Sequence, residues 1–190
     1  MRIGILDGHP DGDPARYCHA LADAYAAGAR QGGHEVRQLR LADLDFPILL
    51  DRADWEAPHA CPDLTRAQDL VAWSEHLVIV HPLWLGGQPA RLRALLEQVF
   101  RPGFAFKAGQ AMSGRLTGRS ARIIVTMGMP AALYRLWFGA HGLKALRRNV
   151  LALVGIRPVR DTLIGNVEGL TPPRLQAWLS SVEALGVRGR

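Results

Sequence analysis

Three short stretches rich in glycine, proline and histidine hold the residues of this sequence that could do chemistry. The first, Asp7 to Pro14, follows an apolar run and leads into a segment whose apolar residues recur at helical spacing. We predict that Asp13 caps this helix and that Pro14 occupies its first position. A loop that ends at a helix N-terminus offers free N–H groups and the positive end of the helix dipole, so this loop predicts a phosphate site. The GxGxxG fingerprint of dinucleotide-binding proteins is absent.

The second stretch joins a short apolar run to a turn and then to an amphipathic segment. Leu77 to Val80 is the apolar run and His81 to Pro89 is the turn. One face of the following helix is predicted to carry Leu92, Leu95, Leu96 and Val99. A glycine-rich turn lets backbone N–H groups approach a planar ligand without obstruction from side chains. Trp84, Phe104 and Phe106 add aromatic surface near the turn, and we expect Phe104 and Phe106 to contact a substrate.

The third stretch, Thr126 to Pro130, ends another apolar run, and Tyr134 and His141 follow it. Each of these two residues also has a purely structural interpretation, Tyr134 as a packed aromatic residue and His141 as a residue near a helix start. His9 also has a purely structural interpretation, as a turn residue whose side chain bonds the local backbone. No Ser-His-Asp or Cys-His set, no pair of catalytic carboxylates and no metal-ligand spacing is recognisable, so we predict no metal site.

The elements that position these stretches alternate between strands and helices. Five strands are predicted, at 2–6, 35–41, 77–80, 121–126 and 157–164. Helices are predicted after the first loop, at 64–74, after Pro89, at 143–154 and from Thr171 onward, with Thr171 as its N-cap. A long connection, 42–63, is expected to pack over the rest of the chain, and Lys107 to Ser120 is expected to form a surface loop. The whole chain, 1–190, is predicted to be a single domain.

This alternation predicts an α/β fold, a doubly wound five-stranded parallel sheet in the order 2-1-3-4-5 with helices on both faces. In that order the first, third and fourth strands are neighbours, so their three loops meet at one edge of the sheet. Such loops form a shallow cleft for a planar cofactor that bears a phosphate. A receiver-type domain shares this topology, but it needs an acidic cluster and a lysine at a strand end. This sequence has Asp7 after the first strand, whereas no lysine ends the fifth strand, so the receiver interpretation is not favoured.

Charge divides the sequence unevenly. The chain carries a net +6, yet 98–160 contains no Asp or Glu and eleven Lys or Arg, which leaves −5 for the rest. This segment predicts an anionic ligand, an anionic surface or an acidic partner, while no motif supports nucleic acid. No apolar run approaches the roughly 20 residues of a membrane span, and the N-terminus lacks a signal-peptide pattern. With Cys18 and Cys61 expected to be reduced thiols, we predict a soluble, cytoplasmic protein.

All three stretches carry a family resemblance. Pro82-Leu83-Trp84, Pro89-Ala90, Val99-Phe100 and Gly103-Phe104-Ala105-Phe106 resemble the flavodoxin-like NAD(P)H:quinone reductases. That family includes DT-diaphorase, drug-activity modulators and the ancillary oxidoreductases of potassium-efflux systems. Thr126 to Gly142, ending in Gly139-Ala140-His141-Gly142, resembles the family's Thr-Thr-Gly-Gly…Tyr…Gly-x-His-Gly segment. His9 matches the histidine of the family's phosphate loop, whereas Pro14 stands where the family usually has serine.

The resemblance implies a flavin-dependent oxidoreductase that passes a hydride from NADPH or NADH to a quinone-like acceptor by ping-pong kinetics. It implies FMN, with FAD possible, a homodimer, and catalytic roles for Tyr134 and His141 beside the flavin. The acid-free segment favours NADPH as the donor. The alternative that it leaves open is a flavin-binding ancillary subunit of a membrane ion-efflux system. The predicted cofactor-binding residues are His9, Asp13, Arg16, Tyr17, Pro82, Leu83, Trp84, Leu85, Gly86, Thr126, Met127, Gly128 and Met129.

Overall fold

A central sheet of five parallel strands organises the protein. The computed structural model describes residues 1–107 and 110–190, with the backbone alone for Lys107 and for 110–113. The sheet order is β2-β1-β3-β6-β7, which confirms the predicted order 2-1-3-4-5. Its strands are β1 (Arg2–Asp7), β2 (Glu35–Arg40), β3 (His76–Pro82), β6 (Ser120–Thr126) and β7 (Val159–Ile164).

The sheet is buried because helices cover both of its faces. Every residue of β3 is buried, as is typical of a central strand in a parallel sheet. One face packs against α1 (Tyr17–Gln31) and α7 (Pro172–Val187). The other packs against α3 (Pro62–Trp73), α4 (Ala90–Val99) and a helical segment that begins with α6 (His141–Lys144) and continues as a π-helix over Ala145–Leu151.

Helices α1 and α7 lie unusually close together. A Cβ placed on Gly28 of α1 would lie 2.0 Å from the carbonyl oxygen of Glu183, and one on Gly186 of α7 would lie 2.3 Å from that of Tyr25. Only glycine permits this approach of two backbones. The contact fixes the axis of α1, whose N-terminus borders the first loop.

The long connection between β2 and α3 packs over the α4 side of the sheet, as predicted. It contains a 3₁₀ turn at Leu41–Asp43 and the short helix α2 (Arg52–Glu56). Two side chains from the end of α4 hold it: Gln98 donates to the Pro47 carbonyl at 2.7 Å, and Arg101 donates to the carbonyls of Asp54 and Ala57, each at 2.7 Å. Arg101 is buried, so these bonds are shielded from water.

Two element predictions are wrong in detail. The predicted surface loop from Lys107 to Ser120 instead contains an antiparallel pair of strands, β4 (Phe106–Lys107) and β5 (Gln110–Gly114), although residues 108 and 109 lie outside the described part of the chain. The helix predicted at 143–154 begins at His141 and ends at Leu151. The short helix α5 (Ala131–Leu136) precedes it. Within the described residues, no helix combines the length and apolarity needed to cross a bilayer.

Candidate functional site

The loops that follow β1, β3, β6 and β7 meet at the carboxyl edge of the sheet and enclose a cleft of about 470 Å³. Ligands of open α/β sheets bind at this edge, where the strand order reverses. Six predicted cofactor residues line the cleft, and five others join them. The eleven are His9, Asp11, Ala15, Arg16, Tyr17, Cys18, Pro82, Trp84, Thr126, Val167 and Glu168.

Aspartates shape the first loop. The carboxylates of Asp7, Asp11 and Asp13 each accept the backbone N–H two residues further on, at 3.3, 3.0 and 3.0 Å. Asp and Asn commonly stabilise turns in this way. The predicted helix cap at Asp13 is therefore wrong, because its side chain stabilises a turn at Ala15, and α1 begins only at Tyr17.

The start of α1 keeps the N–H groups of Tyr17 and Cys18 available, whereas those of Arg16 and His19 bond the carbonyls of Asp13 and Arg16, each at 3.0 Å. Arg16 occupies the N-cap position, makes no side-chain cap bond, and no acidic residue lies in the first helical turn. The first N–H groups of a helix have no partner within the helix and attract anions. Here they border the cleft, since Arg16, Tyr17 and Cys18 all line it.

His9 faces the cleft as a neutral hydrogen-bond donor. Its Nδ1 accepts the backbone N–H of Asp11 at 3.1 Å and lies 3.3 Å from the Asp11 carbonyl oxygen; with Nδ1 as the acceptor of the shorter bond, the ring proton lies on Nε2. Burial lowers the pKa of His9 below its usual value, which keeps the ring uncharged near pH 7. The structural interpretation of His9, a bond to local backbone, and the ligand interpretation are thus compatible, since they use different ring nitrogens.

A buried pair beneath this loop was not predicted. The Nδ1 of His19 bonds the Asp7 carboxylate, and its Nε2 lies 2.9 Å from the Asp11 carbonyl oxygen. Both ring nitrogens of His19 therefore lie within hydrogen-bond distance of an oxygen atom, one at the end of β1 and one in the first loop. The pair joins the end of β1 to the loop. A sequence signal existed, since Asp7 directly follows a buried strand and His19 falls on the core face of α1.

The second loop supplies an aromatic wall. Trp84 and Gly87 exchange two backbone hydrogen bonds of 3.0 Å in a tight turn, with Leu85 and Gly86 at positive φ. The Trp84 ring meets His9 edge to face at 6.0 Å and is half-exposed. Leu83 packs against the core instead, and Leu85 points fully into solvent, so neither lines the cleft.

Tyr134 supports the second loop from below. Its hydroxyl donates to the Gly86 carbonyl at 3.3 Å and accepts the Leu143 N–H at 3.2 Å, and burial raises its pKa. His141 is exposed, with its ring against the backbone of Gly139. Neither residue lines the cleft, so their catalytic roles stay predictions.

The third loop pairs with a segment after β7, residues 166–168, that the sequence analysis did not predict to reach the cleft. Met127 is buried, and the carbonyls of Met127 and Met129 accept the N–H groups of Val167 and Asn166, both at 3.1 Å. This pairing carries the Glu168 carboxylate over Gly128 and into the cleft. No motif marks the segment after β7; only the strand order, which places β7 beside β6, indicates that it reaches this edge.

Phe104 and Phe106 lie elsewhere. Both pack partly buried against the core, and neither lines the cleft. Phe106 instead borders an apolar cavity of about 290 Å³ between α4 and the π-helical segment, together with Trp55 and Phe100. Their predicted contact with a substrate therefore needs a surface beyond this cleft.

A family model described as flavodoxin-like fold matches residues 1–185. The chain belongs to this family. Over 128 residues it is 27% identical to an FMN-dependent NADH:quinone oxidoreductase of Ruegeria pomeroyi, a match covering 58% of this chain and 63% of the relative. Over 73 residues it is 36% identical to the potassium-efflux ancillary protein KefG of Escherichia coli, 38% of each chain. The chain thus spans less than two thirds of these relatives.

A solved structure supports the same fold. The NAD(P)H:quinone oxidoreductase of Methanothermobacter marburgensis superposes with a TM-score of 0.80 at 18% identity, covering 99% of this chain and 96% of that one. The family resemblance inferred from the sequence motifs is therefore confirmed, together with the flavodoxin-like fold.

Proposed function

We propose that this family member is an FMN-dependent NAD(P)H oxidoreductase that reduces a quinone or a similar acceptor. One observation carries the proposal: the free N-terminus of α1, the His9 donor and the Trp84 wall all border one cleft. An anion site beside a planar aromatic surface suits a cofactor that has a phosphate at one end and a ring system at the other. The quinone oxidoreductase name of the Ruegeria pomeroyi relative supports the same class.

The residues fit FMN. Its phosphate would be held by the Nε2–H of His9, the N–H groups at the start of α1 and, once released from its carboxylate partner, the Arg16 side chain. The cleft volume of about 470 Å³ falls within the usual range for cofactor sites. When bound, the flavin accepts a hydride from NAD(P)H and passes it to the acceptor, a chemistry that belongs to the cofactor.

The residues around the cleft bind the flavin and orient its ring system. Trp84 and Pro82 wall the ring end of the cleft, and Tyr134 fixes the Trp84 turn through Gly86. In this proposal His141, exposed beside that turn, stabilises negative charge that develops during hydride transfer. A single open cleft admits the donor and the acceptor in succession, so the kinetics are expected to be ping-pong.

A homodimer is part of the proposal. Two apolar features of the surface remain uncovered in one chain: the cavity that contains Trp55 and Phe106, and the exposed side chains of Leu136 and Trp137, 82% and 80% accessible. Exposed apolar patches commonly mark interfaces. A second copy would cover such surface and could bring Phe106 to the partner's cleft.

A second candidate is an ancillary subunit of an ion-efflux system that binds flavin with little turnover. The match to KefG favours it, at 36% identity over 73 residues.

Turnover separates the two candidates. Purified protein supplied with FMN is mixed with NADH or NADPH and a soluble quinone, and the loss of reduced nicotinamide is followed by absorbance. The oxidoreductase proposal expects FMN-dependent oxidation that requires the quinone and gives parallel double-reciprocal lines. Stoichiometric FMN binding without turnover would favour the ancillary subunit, and failure to bind FMN would contradict both.

A further inference from the structure

Arg16, at the proposed phosphate loop, already forms an ion pair with Asp11. Arg16 points its Nη2 and Nε at one oxygen, Oδ2 of Asp11, at 2.6 and 2.8 Å, and its Nη2 lies 3.7 Å from Oδ2 of Asp13. A guanidinium fork of this kind matches carboxylates and phosphates alike. Asp11 therefore fills the edge of the guanidinium formed by Nε and Nη2, which is one of the edges that a phosphate could bind.

The charged side chains that line the cleft also disfavour the binding of an anion. Among the lining residues, Arg16 is the cation and Asp11 and Glu168 are the anions, while His9 is held neutral by burial. A phosphate that enters this cleft meets two carboxylates and one guanidinium. Its binding is therefore sensitive to whether Asp11 keeps Arg16 or releases it.

Only the side chain of Asp11 has to move for that release. Its backbone is fixed on both sides, because the N–H bonds Nδ1 of His9 at 3.1 Å and the carbonyl oxygen lies 2.9 Å from Nε2 of the buried His19. The carboxylate itself is 44% exposed. An exposed ion pair contributes little to stability, so a small rotation that separates Oδ2 from Arg16 while Oδ1 keeps the Asp13 N–H costs little.

We propose that Asp11 is a built-in competitor for Arg16 that selects a phosphate monoester over a diphosphate, and hence FMN over FAD. The inference rests on the proposed function. A phosphate monoester carries close to two negative charges near neutral pH and can displace a singly charged carboxylate from a guanidinium. Each phosphate of a diphosphate diester carries a single charge and lacks that advantage over Asp11.

The test is Asp11→Asn. Asparagine keeps the Oδ1 that accepts the Asp13 N–H and removes the charge that holds Arg16. Dissociation constants for FMN, FAD and riboflavin are measured by quenching of flavin fluorescence. We expect D11N to bind FMN about fivefold more tightly, to gain more for FAD, and to bind riboflavin, which has no phosphate, as the wild type does.

Two further variants isolate the contact. Asp13→Asn removes the same charge from the same loop but starts 3.7 Å from Arg16, so its gain for FMN should stay below about twofold. In an Arg16→Gln background, D11N should lose at least half of its effect, because there is no guanidinium left to release.

The outcomes are distinct. Equal FMN affinity of wild type and D11N, an unchanged ratio of FMN to FAD affinity, or an undiminished D11N gain in the R16Q background would each overturn this inference alone. Failure of the wild type to bind any of the three flavins would overturn the proposed function, and this inference with it.

Discussion

Histidines held neutral by burial recur in this protein and decide how it responds to acid. His81, at the end of β3, is fully buried, and burial lowers its pKa to about 4. Its Nδ1 bonds the Pro82 carbonyl at 2.8 Å, while Nε2 has no hydrogen-bond partner within the described residues. Burial also lowers the pKa of His76, again to about 4. In the unfolded chain both would titrate near the ordinary value of about 6.5.

We therefore expect stability to fall as the pH drops from about 6.5 toward 4, because unfolding releases these two rings to bind protons. Between pH 7.5 and pH 5 each ring should contribute a loss of about 2 kcal/mol. This loss is measured by urea unfolding of the wild type and of the His81→Leu variant at both pH values. The variant should lose about 2 kcal/mol less than the wild type over this interval; equal losses would show that His81 does not titrate as described.

The position of a side chain at the cleft was predictable where its loop had a recognisable context. His9, Arg16, Trp84 and Thr126 line the cleft as the sequence indicates. The carboxylates of Asp11 and Glu168 were missed, because their positions depend on how a turn folds and on which loop pairs with Met127. Neither is encoded in periodicity or spacing.

Burial and residue type explain which strands and helices were predicted correctly and which were not. The central strands β1, β3 and β6 were predictable because continuous apolar runs mark strands that are covered on two faces, and β2 was predictable from its alternating pattern. The β4–β5 pair was missed because its sequence is polar and rich in glycine. The start of α1 was misplaced because Asp13 and Pro14 have the residue types of a helix start but form a separate turn.

The buried guanidinium of Arg101 is one of the groups that hold the connection between β2 and α3, and it bonds the part around α2. Replacing Arg101 with Gln leaves the carbonyls of Asp54 and Ala57 without their donors, and we expect a loss of about 2 kcal/mol in the free energy of unfolding. Protease cleavage within 48–58 should become faster. The matched control is Arg93→Gln, which breaks the exposed Arg93–Glu97 pair and should cost less than about 0.5 kcal/mol. Indistinguishable proteolysis of the two variants would contradict this role.

The cations of the acid-free segment do not all share one surface of the folded chain. Arg101 and Arg122 are buried and donate to backbone and side-chain oxygens, and Arg135 and Arg147 share Asp161. Within the described side chains, none of this segment's arginines lines the cleft. The preference for NADPH that the charge count predicts therefore has no support from this cleft, and we expect donor discrimination below about tenfold.

The uncovered apolar surface predicts the assembly state. Light scattering at micromolar concentration should give the mass of two chains. Trp137→Glu, which places a charge on an 80% exposed ring position outside the core, should shift the mass toward one chain without loss of thermal stability of the fold. Asp23→Asn, on the exposed face of α1 and outside both apolar features, is a surface control. A single-chain mass for the fully active wild type would contradict the dimer.

The central claim is that the loop between β1 and α1 binds the phosphate of a flavin, and comparison of FMN with riboflavin tests it most directly. Dissociation constants are measured by fluorescence quenching for the wild type and for a variant that combines His9→Ala with Arg16→Glu. We expect the wild type to bind FMN at least about tenfold more tightly than riboflavin. The variant should lose this preference while it keeps its affinity for riboflavin. Equal affinities of the wild type for the two flavins, or an unchanged preference in the variant, would contradict the assignment.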